Sequence, residues 1–294
     1  MINIAFIHED FPFGGAEKVT SHIAVSLRGK GYSFFIFTCN LIEEKLSDEE
    51  KDNFNFIKIN LSDLFEDTEN NILIEKAKEN AIDIMVFTGA NFNMRREHIV
   101  NAIGCKYIFA SHGTPFWEVD DINTEFERRI SHKNFFSKIK YRIKHQKKLK
   151  QAEGFFINLY KTIYQSCDAF TVLCPDYQEV FSKKINLGVD KFCVIPNGVP
   201  QPKIAYSLDK KKQILYVGRM SYADKRVDRL IEIWKNIYKR FSDWEFILVG
   251  DGAERHKLEQ QAQMYSLERI LFCGAVQNVE KYYNQAAILC LSSQ

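Results

Sequence analysis

The sequence predicts a mixed α/β fold built from two Rossmann-like domains, each a doubly wound parallel sheet. The chain has 294 residues, more than one hydrophobic core usually holds, so two domains are expected. Short runs rich in Ile, Phe and Val alternate with helical patterns, and this alternation starts again after residue 200. We expect two such domains to face a cleft that holds the ligand site.

The first domain is predicted to comprise residues 1–199. Its apolar runs have the length and the near-continuous hydrophobicity of buried parallel strands, and they lie at 2–7, 34–38, 82–87, 107–110 and 170–173. Residues 16–27 show a helical pattern in which Val19, Ile23 and Leu27 share one face. We therefore expect a helix packed on the sheet directly after the first strand.

The second domain is predicted to comprise residues 200–294. Pro196, Pro200 and Pro202 interrupt backbone hydrogen bonding, which favours a domain boundary there. Strands are expected at 214–217, 246–249, 270–272 and 288–291, and helices at 227–241 and 253–265. An open parallel sheet rarely ends on a strand without a covering helix, so this domain is expected to be incomplete.

Composition argues against several classes of partner. Lys and Arg total 40 against 38 Asp and Glu, a formal charge of +2 that gives no reason to expect nucleic acid. No basic leader precedes the first apolar run, and no run approaches the roughly 18 residues of a membrane span. The seven cysteines are scattered and form no C-x-x-C pair, which is typical of reduced thiols in a cytoplasmic protein. No residue spacing suggests a metal site, and no cofactor is expected.

Ligands of open α/β sheets bind beyond the carboxyl ends of the strands, so the loops there are the candidate sites. Gly14 and Gly15 follow the first strand and precede a helix, where backbone N–H groups can hold a phosphate. These residues fit equally well a tight turn in which Glu17 complements the helix dipole.

Basic residues follow the first strand of the second domain. Gly218 and Arg219 come directly after that strand and Lys225 precedes its helix, so a guanidinium and an ammonium can hold a diphosphate together. A solvated basic turn is the simpler interpretation. Small residues also follow the next strand, where they leave room for a nucleotide or simply form a turn: Gly250, Asp251 and Gly252.

These motifs occur in an order that resembles glycosyltransferase family 4 of the GT-B fold. The resemblance covers nearly the whole chain and rests on five segments: GGAEKV, IPNGV, LYVGRMSYADKRVDRLI, LVGDGAERHKLE and FCGAVQNVEKYYNQAAILCLSS. It implies transfer of a sugar, with retention, from a nucleotide sugar to a hydroxyl of a glycan or lipid-linked glycan, in cell-surface polysaccharide synthesis. It implies no metal requirement.

The resemblance also implies roles for particular residues. Arg219 and Lys225 would bind the donor diphosphate, and Gly14 and Gly15 would lie against the donor phosphates or the acceptor. His112, after the strand at 107–110, resembles the family's histidine near the reacting sugar, although a histidine at a strand end is more often structural. The family's E-x7-E motif lies beyond the strand at 288–291, where this sequence stops. Its carboxylates therefore have no counterpart here, which leaves the activity of this chain open.

A basic segment interrupts the first domain. Residues 128–150 carry ten Lys and Arg residues and no acidic residue, with apolar residues at helical spacing that continue to Ile163. A basic amphipathic helix can lie on anionic lipid, which suits an enzyme with a membrane-anchored acceptor on the inner face of the membrane. A long solvated helix packed on the sheet by its apolar stripe is the other interpretation.

Two other functions are compatible with this fold. A sugar-nucleotide epimerase shares it, but the spacing from Gly218 to Lys225 argues against that activity. A non-catalytic GT-B subunit that binds a partner glycosyltransferase or a nucleotide is the second, because a fold alone does not establish turnover.

Overall fold

The computed structural model describes residues 1–12, 14–66, 71–89, 94–130, 133–198, 208–222, 224–276 and 278–293. The chain divides into two compact units. Unit 1 comprises Met1–Asn123 and Ile130–Pro200, and unit 2 comprises Thr124–Arg129 and Gln201–Gln294. The boundary predicted at residues 199 and 200 lies outside the described residues. Unit 2 also takes in part of a helix from the first half of the chain, which the sequence pattern did not indicate.

Unit 1 contains a parallel sheet of seven described strands in the order β3-β2-β1-β4-β5-β6-β7. The strands are β1 (Ile2–Phe11), β2 (Tyr32–Leu41), β3 (Phe54–Lys58), β4 (Ile84–Thr88), β5 (Lys106–Ala110), β6 (Ala169–Val172) and β7 (Phe192–Val194). The helices are α1 (Gly15–Ser26), α2 (Asp48–Asn53), α3 (Leu61–Phe65), α4 (Ile72–Glu79), α5 (Arg96–Ile103), α6 (Trp117–Ile130), α7 (Phe135–Ser166) and α8 (Pro175–Ile185), with α6 shared between the units.

Burial on both faces explains why the strands of this sheet are almost continuously apolar. Successive residues of β2 alternate between two cores, with Phe35 and Phe37 in one and Phe34 and Ile36 in the other. A strand covered on one face only would alternate apolar with polar residues. The apolar runs therefore predicted five of the seven described strands of this sheet, and the two outer strands, β3 and β7, were missed.

Helix α1 shows where the sequence pattern was less accurate. It begins at Gly15 and ends at Ser26, close to the predicted 16–27. Its fully buried residues are Thr20, Ser21 and Ala24, however, and the predicted face of Val19, Ile23 and Leu27 is only partly buried. Small and hydroxyl side chains allow the helix to lie close to the sheet, and hydrophobicity alone does not reveal such a face.

Unit 2 contains a parallel sheet of four described strands in the order β10-β9-β8-β11. The elements are β8 (Lys211–Val217), α9 (Val227–Ile237), β9 (Glu245–Val249), α10 (Arg255–Met264), β10 (Ile270–Gly274), α11 (Glu280–Gln285) and β11 (Ala286–Leu289). The amphipathic helix α9 buries Val227, Leu230, Ile231 and Trp234 against one face of the sheet. The described residues thus confirm the strand–helix alternation that the sequence predicts.

The basic segment does not form the single helix that residues 128–150 suggest. Helix α6 ends at Ile130 and carries two of the ten cations, whereas α7 begins at Phe135. Asn134 starts the new helix, because its side chain accepts a hydrogen bond from the Ser137 backbone N–H at 2.9 Å. The later part of the apolar stripe, at Phe156 and Ile163, is buried, but its earlier part is exposed. No helix among the described residues is long and apolar enough to cross a membrane.

An aromatic cluster joins α7 and α8 to β5, β6 and β7. Phe170 is fully buried, and its ring centroid lies 4.7 Å from that of Phe109 and 5.0 Å from those of Phe181 and Phe192. The cluster holds the carboxyl-terminal half of α7 on the sheet.

Substitution of Phe170 by Ala is expected to lower the free energy of unfolding of unit 1 by about 3–5 kcal/mol, because it removes a buried ring from a packed cluster. Urea unfolding followed by far-UV circular dichroism measures this change. Val180→Ala on the exposed side of α8 is the control and should change stability by less than about 0.5 kcal/mol. A Phe170→Ala cost below about 1 kcal/mol would contradict the cluster's structural role.

Candidate functional site

Arg219 and Lys225 converge on a single anionic oxygen. They lie in the loop between β8 and α9, and Asp224 Oδ2 is 3.1 Å from Arg219 Nη2 and 3.5 Å from Lys225 Nζ. The Arg219 side chain is 70% exposed and that of Lys225 is 37% exposed, so both are accessible to a ligand. The Asp224 carboxylate shows that this loop can hold one negatively charged oxygen between a guanidinium and an ammonium.

The protonation of Asp224 reflects this environment. Burial by itself would raise its pKa, but hydrogen bonds from Ser221 and Arg219 and the charge of Lys225 outweigh burial and lower the pKa below its ordinary value. The carboxylate therefore stays ionised at neutral pH and neutralises the two cations. The sequence analysis missed Asp224, because an acidic residue inside a basic turn does not by itself indicate which cations it contacts.

The backbone on both sides of this loop is held by hydroxyl groups. The Tyr216 hydroxyl donates a hydrogen bond to the Arg219 carbonyl oxygen at 2.8 Å, and the Ser292 hydroxyl donates one to the Lys225 carbonyl oxygen at 2.7 Å. Burial raises the pKa of Tyr216 to about 12, so its hydroxyl stays protonated and remains a donor. Gly218 lies over this contact, and a Cβ there would come within 2.9 Å of the Tyr216 oxygen.

The glycines after β9 pack against this same loop. A Cβ at Gly250 would lie 1.9 Å from the Gly218 carbonyl oxygen, and one at Gly252 would lie 2.4 Å from the Met220 carbonyl oxygen. Their φ angles of +133° and +155° also disfavour side chains. Two backbone hydrogen bonds join the loops, from Gly218 N–H to the Val249 oxygen at 3.0 Å and from Met220 N–H to the Asp251 oxygen at 2.7 Å. Close loop packing thus accounts for these glycines.

The Asp251 side chain forms its hydrogen bonds with residues that are close to it in sequence. Its carboxylate accepts hydrogen bonds from the Gly252 N–H at 2.8 Å and from Arg255 Nη1 at 3.0 Å, and these contacts lower its pKa. Arg226, which follows Lys225, is likewise engaged, because its guanidinium contacts the Asp228 carboxylate at 2.9 and 3.0 Å and lies over the Tyr222 ring. Among the cations of this loop, Arg219 and Lys225 are therefore the two that share Asp224.

In unit 1 the Gly14–Gly15 turn holds a carboxylate. Gly14 has φ +96° and precedes α1, and a Cβ there would lie 2.6 Å from Glu17 Oε2. Glu17 Oε1 is 3.4 Å from Nδ1 of His8, whose Nε2 lies 3.0 Å from the Thr20 hydroxyl. The Glu17 side chain thus folds back to the amino terminus of α1. This geometry favours the interpretation of the two glycines as a tight turn in which Glu17 complements the helix dipole.

His112 lies beyond the carboxyl end of β5 and is largely enclosed. Burial lowers its pKa, and the nearby charge of His8 acts in the same direction, whereas a hydrogen bond with the Asn197 side chain and the charge of Glu17 oppose the shift. Its Nδ1 is buried and has no hydrogen-bond partner among the described residues. Asn197 belongs to the IPNGV segment, so the fold joins two motifs that are 85 residues apart in sequence.

The structure therefore groups the predicted residues within each unit. Unit 1 brings the Gly14–Gly15 turn close to Glu17 and His8, and His112 close enough to both to feel their charges. Unit 2 brings Gly218, Arg219 and Lys225 together with the turn at 250–252. That both groups open onto one cleft stays a prediction. No group of three or more metal-ligating side chains occurs within the described part of the chain.

A further cavity of about 410 Å³ lies at the carboxyl ends of β1, β2 and β3. Its lining comprises Glu9, Asp10, Cys39, Asn40, Lys58, Ile59, Asn60 and Leu61. It shares no residue with either predicted group, and no sequence motif pointed to it.

Parts of this chain are similar to known glycosyltransferases. Residues 211–294, which include all of the described strands of unit 2, match the family model described as Glycosyl transferases group 1. The chain is 31% identical over 86 residues to the amylovoran biosynthesis glycosyltransferase AmsD of Erwinia amylovora, a match that covers 29% of this chain and 24% of that protein.

Two further similarities extend over more of the chain. It is 28% identical over 141 residues to a Campylobacter jejuni α-1,4-N-acetyl-D-galactosaminyltransferase named for an undecaprenol-diphosphate-linked acceptor, covering 46% of this chain and 37% of that protein. The crystal structure of Anabaena HepE in complex with UDP-glucose matches with a TM-score of 0.66 at 14% identity, covering 100% of this chain and 74% of that one. The matches thus span less than half the length of AmsD and of the Campylobacter jejuni protein.

At such low identity the structural match shows the fold alone. The predicted fold class is confirmed, since the mixed α/β architecture with parallel sheets is that of GT-B glycosyltransferases and is consistent with two Rossmann-like domains.

The contact between Gly218 and Tyr216 gives a testable coupling. Gly218→Ala is expected to cost about 1–3 kcal/mol of unfolding free energy, because the new methyl group displaces the Tyr216 hydroxyl. Tyr216→Phe alone should cost about 1 kcal/mol through the lost hydrogen bond. The double variant should cost less than the sum, because removal of the hydroxyl makes room for the methyl group. Urea unfolding of the four proteins measures this coupling.

Gly250→Ala is the matched control for this cycle. Its methyl group would meet a backbone oxygen, so Tyr216→Phe should not relieve it and the two costs should add. Strict additivity of Gly218→Ala with Tyr216→Phe would contradict the proposed contact.

His112 is expected to be neutral at pH 7. Its pKa in the folded chain should lie below its value in the urea-unfolded chain, because burial disfavours the charged ring. The resulting stabilisation is present above the unfolded-state pKa and is lost as the pH falls through the lower folded-state value. Asn197→Ala should lower the pKa further, since that hydrogen bond favours the charged form. NMR titration of the histidine rings, assigned with His112→Asn, measures both shifts, and an elevated His112 pKa would contradict this account.

Proposed function

We propose that this protein is a glycosyltransferase that moves a sugar from a nucleotide-sugar donor to a hydroxyl of a glycan or lipid-linked glycan, with retention, in cell-surface polysaccharide synthesis. The convergence of Arg219 and Lys225 on Asp224 Oδ2 carries this proposal, because it provides a seat for an anionic oxygen at the carboxyl end of β8. The group 1 match to residues 211–294 and the names of the relatives support it.

The chemistry requires stabilisation of a departing nucleoside diphosphate. The bond between the anomeric carbon and the diphosphate oxygen breaks, and the electron pair leaves with the diphosphate. The acceptor oxygen bonds to the anomeric carbon, and the proton of the acceptor hydroxyl passes to the departing diphosphate. In our proposal the diphosphate replaces the Asp224 carboxylate between Arg219 and Lys225, which neutralise the charge as it grows. Gly218 and the turn at 250–252 hold the loop in place. No metal is expected to take part.

Unit 1 would supply the acceptor side and part of the reacting centre. We propose that His112 acts near the reacting sugar as a neutral ring, and that the Gly14–Gly15 turn lies against donor phosphates or the acceptor. Glu17 would then have to leave the turn before a phosphate could bind there. For a lipid-linked acceptor the protein would work at the inner face of the membrane, in peripheral contact with anionic lipid through residues 128–150.

A non-catalytic subunit that binds a nucleotide or a partner glycosyltransferase is the alternative function. Both functions require the phosphate seat, but only the transferase releases sugar from its donor. A screen of UDP-, GDP- and ADP-sugars therefore separates them. We expect one donor class to be hydrolysed slowly without acceptor, in buffer that contains EDTA because no metal is required. Nucleotide binding by calorimetry without hydrolysis of any donor would support the binding subunit.

Arg219→Ala and Lys225→Ala are each expected to lower kcat/KM by about 30- to 1000-fold. This corresponds to about 2–4 kcal/mol of transition-state stabilisation, since the contacts strengthen as the leaving group gains charge. Arg219→Lys should restore activity only in part, because an ammonium lacks the guanidinium fork. Steady-state kinetics with the donor found in the screen measure these effects.

Arg229→Ala is the matched control, since Arg229 is an exposed arginine on α9 outside the loop. It should leave kcat/KM unchanged. All of these variants should keep the melting temperature of the parent protein, because their side chains contribute little to packing. Normal turnover by both Arg219→Ala and Lys225→Ala would rule out the assignment.

A further inference from the structure

The beginning of α7 exposes an apolar strip to solvent. Phe135, Phe136, Ile139 and Ile143, here called the α7 strip, have exposed fractions of 71%, 82%, 44% and 71%. At about 100° per residue these four positions fall within an arc of about 100° on the helix. The strip is therefore one continuous apolar face and not a set of scattered residues.

The attachment of this part of α7 lies on a different side of the helix. His145 is the one fully buried residue among the described positions 133–150, and its Nε2 lies 3.3 Å from the Asn123 side-chain oxygen. Leu149 is partly buried on the same side. The strip points about 130° away from His145 on the helical wheel, so packing against unit 1 does not account for it.

Cations border the strip on both sides. Lys140 and Lys147 follow one edge, Lys138 and Arg142 follow the other, and Lys144, Lys148 and Lys150 lie nearby. None of these lysines pairs with a carboxylate among the described residues, and Glu153 is the first acidic residue of α7. Arg128 and Arg129 on α6 differ, because they contact Glu254 and Glu125 respectively.

We propose that the α7 strip inserts into the interface of an anionic phospholipid bilayer, with α7 lying in the membrane plane and its lysines against the headgroups. An exposed apolar face bordered by unpaired lysines is complementary to such a surface in both hydrophobicity and charge. Nucleic acid would use the cations and leave the apolar face without a role. The proposal narrows the membrane contact from residues 128–150 to the first turns of α7. This proposal rests on the proposed function, because a lipid-linked acceptor would require the protein to work at the membrane.

Vesicle sedimentation tests this contact without any substrate. The protein should bind vesicles of phosphatidylglycerol and phosphatidylcholine more tightly than pure phosphatidylcholine vesicles, and added salt should weaken the difference. Replacement of Lys140, Lys144 and Lys147 by Gln should weaken binding about a hundredfold, at about fivefold per cation. The control variant Lys30→Gln, Lys51→Gln, Lys78→Gln carries the same change in net charge on other exposed sites and should bind like the parent. Equal losses in the two triple variants would overturn the proposal.

Insertion of the strip itself needs a separate readout. Phe136→Ser combined with Ile143→Ser should weaken binding about tenfold or more while all charges remain. A Phe136→Trp variant should show a blue-shifted emission on addition of the anionic vesicles, whereas Tyr141→Trp, on another side of the helix, should not.

Full binding by the serine variant, or equal shifts from the two tryptophans, would overturn insertion and leave a purely electrostatic polyanion site. A dimer that buries the strip and binds no vesicle, detected by ultracentrifugation, would overturn the proposal as well. Nucleotide binding should be unchanged in every strip variant, so failure of the membrane contact is distinguishable from failure of the proposed transferase function.

Discussion

The close approach of two loops in unit 2 underlies the phosphate seat proposed for it. The backbone after β9 lies directly on the backbone after β8, and only residues without a side chain allow this at Gly250 and Gly252. The contact fixes the path of the chain where Arg219 leaves the sheet. The Tyr216 hydroxyl also donates a hydrogen bond to the Arg219 carbonyl oxygen. A long exposed arginine has many rotamers. Because the Arg219 backbone is held in place, the positions that its guanidinium can reach are limited.

Asp224 gives this seat a particular electrostatic character. Two cations close to each other repel, and the shared carboxylate offsets that repulsion. In the proposed function a diphosphate, which carries more charge than the carboxylate, would take its place. The carboxylate thus stabilises the loop and would compete with a diphosphate for the two cations.

The turn in unit 1 shows a related arrangement with a different balance. Glu17 already occupies the amino terminus of α1, and the buried His8 contacts its carboxylate. A helix amino terminus attracts any nearby anion, including one from its own first turn. Paired glycines before a helix therefore do not distinguish a phosphate seat from a tight turn whose own carboxylate complements the helix dipole, and the position of Glu17 favours the latter.

Helix α7 illustrates how one apolar stripe can serve two surroundings. Its second half packs into the aromatic cluster around Phe170, whereas its first half, with the same helical spacing, stays in solvent. The second half of the stripe belongs to the core of unit 1. The exposed half is costly to maintain in water unless another surface covers it.

The sequence by itself determined most of the strands, the helices α1, α9 and α10, and the loops in which the candidate residues lie, because burial on both faces of a parallel sheet imposes long apolar runs and places ligand-binding loops after them. It missed the outer strands β3 and β7 of unit 1. It also indicated Arg219 and Lys225, since cations in such a loop have little packing role. Only the tertiary structure decided that the Asp224 carboxylate lies between these two cations. The same holds for the close contact of Tyr216 with Gly218 and for the hydrogen bond between Asn197 and His112. These contacts depend on how separate strands bring distant loops together, and a local pattern carries no information about which partner a side chain will meet. For the same reason the spacing of apolar residues in α7 predicted a helix but not which half of its stripe would be buried.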